Sequence, residues 1–176
     1  MFRVAGIERN SVVDGEGWRY VIFFQGCKHG CLGCHNPETW DFNGGREMTT
    51  NDILKDLRET DPEKFMDITL SGGDPFYQAD KIIDLCKELK KLDYNIWAYT
   101  GFDFEQFLSY RNCNKSQSDI TNSMIELLKY IDVVVDRPFI ASLRTVELAY
   151  RGSSNQRLID VKKSLKYNKV VEYECI

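Results

Sequence analysis

Several classes of function are excluded by what this sequence lacks. No run approaches the ~20 apolar residues that a membrane-spanning helix needs, so no membrane role is expected. The first ten residues carry charges and contain no apolar stretch of the kind a secretory signal requires, which points to a cytoplasmic protein. Basic residues are not in excess: the net charge is −4, which leaves no electrostatic footprint for nucleic acid. Lys162, Lys163, Lys166 and Lys169 cluster only mildly and read as a solvated face. There is no internal repeat and no low-complexity segment. A chain of 176 residues, 43% hydrophobic and 28% charged, is therefore expected to form one globular domain, 1–176, burying ~70% of the surface its unfolded chain exposes.

Cysteine is what the chain does have, six residues in all. In a cytoplasmic setting these point to metal or reactive thiols rather than disulfides. Cys27, Cys31 and Cys34 form a Cys-x3-Cys-x2-Cys loop directly after an apolar, β-rich run. A short loop of this spacing can wrap one metal centre, and soft thiolate sulfur selects iron–sulfur clusters, zinc or copper(I). Two readings follow. A structural zinc would use His35 or His29 as its fourth ligand. A [4Fe–4S] cluster, normally held by four cysteines, would keep one iron free of protein and open to another ligand. Cys86 falls on the apolar side of a predicted helix and reads as core; Cys113 lies in a polar loop, Cys175 is penultimate, and no role is assigned to these three.

Along the chain, residues 12–18 read as a turn and 19–25 as a strand from whose end the cysteine loop hangs. A helix is predicted to open at Thr49 or Thr50, with Ile53, Leu54 and Leu57 on one face. A strand at 66–70 leads into Ser71-Gly72-Gly73-Asp74-Pro75, and a helix follows over 79–92 with Ile82, Ile83, Cys86, Leu89 and Leu92 inward. A strand at 95–99 ends in Thr100-Gly101. A short helix at 104–110 leads into a loop at 111–118. The helix at 119–130, capped at Ser118 or Asp119, turns Ile120, Met124, Leu127, Leu128 and Ile131 inward. A β-branched strand at 132–135 ends at Asp136-Arg137-Pro138-Phe139. Beyond it the pattern weakens: 143–150 reads as helical, and 157–161 and 170–174 as strands.

Strands alternating with amphipathic helices predict an α/β fold with a parallel sheet. Ligands of such sheets bind beyond the carboxyl ends of the strands. The cysteine loop, Ser71-Gly72-Gly73-Asp74-Pro75, Thr100-Gly101 and Asp136-Arg137-Pro138-Phe139 all follow predicted strands, so they should converge on one site. Gly72-Gly73 would let backbone approach a ligand closely, although it also suits a tight strand-to-helix turn.

The three-cysteine loop resembles the signature of the radical S-adenosylmethionine (SAM) superfamily, in which SAM chelates the open iron. Gly72-Gly73-Asp74-Pro75 resembles that superfamily's Gly-Gly-Glu-Pro element, which binds the amino group of SAM, with Asp74 in place of Glu. Members often carry an aromatic residue before the third cysteine to cover the adenine; here that position is Gly33, and His35 with its backbone is the candidate instead. Val13-Asp14-Gly15-Glu16-Gly17 with Arg19 looks like the lead-in of glycyl-radical-enzyme activases, with Glu16 replacing proline. Cys34-His35-Asn36-Pro37-Glu38-Thr39-Trp40, Trp97-Ala98-Tyr99-Thr100-Gly101, Asp136-Arg137-Pro138-Phe139 and Arg151-Gly152-Ser153-Ser154-Asn155-Gln156-Arg157 resemble segments of the family that activates anaerobic ribonucleoside-triphosphate reductases.

That resemblance implies an incomplete, TIM-like βα barrel holding one [4Fe–4S] cluster on Cys27, Cys31 and Cys34. It implies SAM against Gly33, Cys34, His35, Ser71, Gly72, Gly73, Asp74, Thr100 and Asp136. Asp136 would meet a charged group of SAM or a site cation, or else simply cap a turn. Reduced flavodoxin or ferredoxin would supply the electron, and the large reductase subunit would present its glycyl radical loop near Arg151 and Asn155. No cysteine lies between Cys34 and Cys86, so the ferredoxin-like insertion of larger activases is missing. The alternatives are a 7-carboxy-7-deazaguanine synthase-like enzyme, whose family has Trp-Cys-Asp where this chain has Gly33-Cys34-His35, and a zinc-stabilised interaction module.

Overall fold

The computed structural model describes residues 1–112 and 118–175. β1 (Phe2–Ser11) runs antiparallel to β2 (Arg19–Phe24), and β3 (Arg46–Met48) pairs with the other side of β1. There follow α1 (Thr50–Thr60), β4 (Asp67–Gly72), α2 (Ala79–Lys91), β5 (Ile96–Tyr99), α3 (Phe104–Asn112), α4 (Asp119–Leu128), β6 (Val133–Asp136), β7 (Arg157–Asp160) and α5 (Val161–Tyr167). The strands form one mixed sheet in the order β3-β1-β2-β4-β5-β6-β7. Its centre, β2-β4-β5-β6, is parallel, and β7 closes the far edge antiparallel to β6.

Side chains alternate between the two faces of a strand, and here the two faces do different work. Tyr20, Ile22, Phe24, Ile68, Leu70, Ile96, Ala98, Val134 and Ile159 join the main core with the apolar faces of α1, α2 and α4. Trp97, Val133, Val135 and Leu158 point the other way, covered by Tyr99, Tyr150 and Tyr173. The helices begin where their caps dictate. Thr49 Oγ1 accepts from the Asp52 N–H while the Asp52 carboxylate accepts from the Thr49 N–H, a reciprocal capping box. Ser118 caps α4 through the Thr121 N–H.

Some local expectations change. β1 is invisible to periodicity because register shifts between Val4 and Gly6 and between Glu8 and Ser11 break the alternation. Leu92 lies just past the end of α2 and is exposed, and Ile120, in the first turn of α4, reaches beyond the core and is exposed too. Residues 143–150 are not a helix. A 3-10 turn, Ala141–Leu143, leads into an irregular stretch whose backbone bonds to 152–154 through Thr145 N–H to Gly152 O and Ser154 N–H to Leu143 O. Residues 170–174 run along β7, with Asp160 N–H to Val171 O and Tyr173 N–H to Leu158 O, but make only an isolated bridge. α5, not anticipated, is started by the Asp160 carboxylate on the Lys163 N–H and stopped by Asn168 in the left-handed region. α3 extends through Asn112; Cys113 and most of the expected 111–118 loop lie outside the described residues.

Candidate iron–sulfur and cofactor site

The cysteine loop leaves β2 and is fixed at both ends by backbone. Gly26 N–H donates to Thr39 O at 2.7 Å, Cys27 N–H to Trp40 O at 3.2 Å, and the Asp74 N–H to Gly26 O at 3.0 Å. Gln25, buried, adds Nε2 bonds to Glu38 O and Asp41 O. Within this frame Cys27, Cys31 and Cys34 line one cavity of about 360 Å³ together with Ser71, Gly72, Gly73 and Thr100. Arg137, Pro138 and Phe139 form another wall. The loops that follow β2, β4, β5 and β6 therefore do meet at one place, at the carboxyl ends of the parallel strands.

The sulfurs are set up for a cation. Burial pushes the Cys27 thiol up to about 11, opposed by the His29 backbone N–H. Burial also raises Cys31, opposed by the Phe139 backbone N–H. Asn36 N–H points at Cys34 Sγ from 3.4 Å. Burial thus disfavours the bare thiolate at Cys27 and Cys31, and metal binding would take the place of the proton there. Three sulfurs on one cavity, each approached by a backbone N–H, form a donor set that fits an iron–sulfur cluster.

The two glycines after β4 have a different first duty from the one anticipated. A Cβ on Gly72, at φ +96°, would lie 2.5 Å from Phe24 N, and one on Gly73 would lie 2.6 Å from Gly26 O. Both residues must be bare so that the strand end and the cysteine loop can pack on them, and the backbone facing the cavity follows from that.

Asp74 stands behind the cavity wall. It is 1% exposed, and its carboxylate accepts from His29 Nε2, Thr100 Oγ1 and the N–H groups of Gly101 and Phe76. His29 Nε2 is thus committed and is not free as a fourth metal ligand. Asp136 is corrected more strongly. Alternation along β6 puts it with Val134 on the helix face, away from the cavity, where it accepts from Arg157 and from the Phe104 N–H. Gly33 lies against Ala141 and Phe139. His35 packs on Phe139 with ring centres 4.9 Å apart.

A second cavity, about 490 Å³, continues from the first and shares Asp14, His35, Tyr99 and Gly152 with it. Arg151 lines it, but Asn155 does not. Asn155 turns inward, donating from Nδ2 to Pro138 O at 2.9 Å. Phe23 lines the cavity although no motif contains it, and Tyr99 and Gln156 line it although their motifs carried no role for them. Phe23 and Tyr99 had a usable signal, since they alternate with the core-facing Phe24 and Ala98.

A family model described as "4Fe-4S single cluster domain" matches residues 13–159. The anaerobic ribonucleoside-triphosphate reductase-activating protein of Enterobacteria phage T4 is 34% identical over 150 residues, which is 83% of this chain and 86% of that protein. The protein of the same description from Vibrio cholerae is 34% identical over 152 residues, 82% of this chain and 89% of its own length. The one from Escherichia coli K12 is 31% identical over 153 residues, 82% and 90%. The chain belongs to this family. The segment matched by the family model contains all three cavity cysteines, the Gly-Gly-Asp-Pro turn and nearly all of the remaining walls of both cavities. No helix among the described residues is long and apolar enough to cross a membrane.

Proposed function

We propose that the chain is a radical SAM activase that generates the glycyl radical of an anaerobic ribonucleoside-triphosphate reductase. A [4Fe–4S] cluster on Cys27, Cys31 and Cys34, when bound and reduced by flavodoxin or ferredoxin, supplies cleavage of SAM to methionine and a 5′-deoxyadenosyl radical, which takes a hydrogen atom from a glycine of the large subunit. The observation that carries this reading is the shared cavity: three cysteines face the bare backbone of Gly72-Gly73, with Ser71 and Thr100 beside it.

The chain's own part is placement. Gly72 and Gly73 would offer backbone groups to the methionine end of SAM, with Ser71 adding a hydroxyl and Thr100, whose O–H goes to Asp74, forming the wall beside them. His35, steadied by Phe139, would cover the adenine beside Gly33 and Cys34. Asp74 holds the surrounding loops rather than touching the ligand. The second cavity, with Arg151 on its wall, would admit the partner's glycine loop. Helices on one sheet face, with the cavity at the parallel strand ends, support an incomplete βα barrel of the radical SAM type.

The test is anaerobic reconstitution followed by mixing with the large reductase subunit, SAM and reductant. Expected results are about four irons per chain, methionine and deoxyadenosine as products, and a protein radical by electron paramagnetic resonance (EPR). Alanine at Cys27, Cys31 or Cys34 should abolish all three. A colourless, zinc-loaded protein that leaves SAM intact would sink the reading.

A further inference from the structure

His29 sits between two cluster cysteines, yet its ring turns back into the protein. The side chain is 16% exposed and Nε2 lies 2.7 Å from Asp74 Oδ2. A carboxylate only accepts, so Nε2 carries the hydrogen. The same Oδ2 accepts from Thr100 Oγ1 at 2.8 Å and Gly101 N–H at 3.0 Å, while Oδ1 accepts from Phe76 N–H at 3.0 Å. The ring fills the space that Gly101 leaves by having no Cβ, and it rests edge-on against Phe102, with centres 4.8 Å apart. Its own backbone N–H faces the Cys27 sulfur. Asp74 N–H closes the frame on Gly26 O. One buried carboxylate thus joins the cysteine loop, the turn after β4 and the turn after β5.

We propose that His29 is a positioning residue: clamped by Asp74, it fixes the orientation of the cysteine loop, and hence of a cluster on it, relative to the cofactor cradle at Gly72-Gly73 and Thr100. This rests on the reading of the cavity as a cluster and SAM site. Its physical basis is that a reacting pair tolerates little misplacement, and that groups ordering metal ligands from behind carry much of a site's affinity. A histidine that merely filled space would affect melting alone.

The test uses the full chain, reconstituted anaerobically, as wild type, His29→Ala, His29→Gln and Asp74→Asn. Gln keeps an N–H donor for Asp74. Beside melting temperature, two quantities are read: the rate at which a chelator strips iron, and the SAM concentration that shifts the EPR spectrum of the reduced cluster. His29→Ala should melt within a few degrees of wild type yet lose iron about 10–100-fold faster and need about 10–100-fold more SAM. His29→Gln should recover most of both. Should Asp74→Asn fold poorly, the His29 pair still decides the matter. Wild-type behaviour of His29→Ala on both readouts, or no recovery in His29→Gln, overturns the clamp. A wild-type spectrum indifferent to SAM would instead remove the cofactor reading, and the chelator rates would still judge the clamp.

Discussion

Gly73 has no room for even one added carbon. A Cβ there would meet Gly26 O at 2.6 Å and Thr39 O at 3.0 Å, both backbone atoms of the segment that anchors the cysteine loop. Backbone cannot swing aside as a side chain can, so Gly73→Ala should cost about 1–3 kcal/mol and disturb the loop before any ligand arrives. Iron per chain and melting temperature should fall together. Full iron and an unchanged melt in the Gly73→Ala variant would mean that the loop has slack the structure does not suggest. Cys86 behaves in the opposite way. It is wholly buried on the inner face of α2 in the main core, where desolvation pushes its thiol up to about 12 and leaves it inert. Cys86→Ala should keep the iron content and lose about 1 kcal/mol of stability, read from denaturant midpoints.

At the scale of elements, α3, β6 and β7 are tied by charge. Arg157 of β7 donates to both carboxylate oxygens of Glu105 on α3 and to both of Asp136 on β6. Arg137 pairs with Asp103 beside them at 2.9 Å. The acidic trio Asp103, Glu105 and Asp136 therefore faces arginine rather than a site cation. Hydrogen bonding to Arg157 holds the Glu105 carboxyl down at about 2 from its ordinary 4.5. The folded value lies below the unfolded one, so this contribution is complete above pH 4.5 and fades as pH falls toward 2. Because Glu105 is half-exposed, the effect is modest and salt-sensitive. Glu105→Gln should flatten the loss of stability between pH 4.5 and 2, measured by urea midpoints at low ionic strength. Parallel curves for the two proteins would assign the acid limb to other carboxylates.

For the whole molecule, the two joined cavities would, on the proposed reading, divide the labour between making a radical and delivering it. Arg151 lines only the outer cavity, where Val13 and Val146 are also exposed. A charge on the rim of a partner site acts mainly on association. Arg151→Ala should load iron normally and show the wild-type EPR response to SAM. The glycyl radical formed on the reductase should fall several-fold, and the deficit should shrink as reductase is added in excess. Radical yield equal to wild type at limiting reductase would take Arg151 off the partner surface. Asn155, bonded to Pro138 O, supports that wall from behind and is no longer expected to meet the partner.

By itself the sequence determined whatever depends on near neighbours. Thr49 and Ser118 announced their helix starts, alternation and helical spacing marked β2, β4, β5, β6, α1, α2 and α4, and the spacing of Cys27, Cys31 and Cys34 announced a soft-metal loop. The rule that ligands gather at parallel strand ends then brought the right loops together. Tertiary structure alone decided which polar groups face the cavity. Asp136 met Arg157, 21 positions away, and Asp74 met His29, 45 positions away, so neither carboxylate was left for the cavity. β1 became a strand only because β2 and β3 flank it. Spacing along a chain constrains side chains within a turn or a pleat of each other. The partner of a buried charge is chosen by whichever distant loop the packed sheet brings within hydrogen-bonding reach.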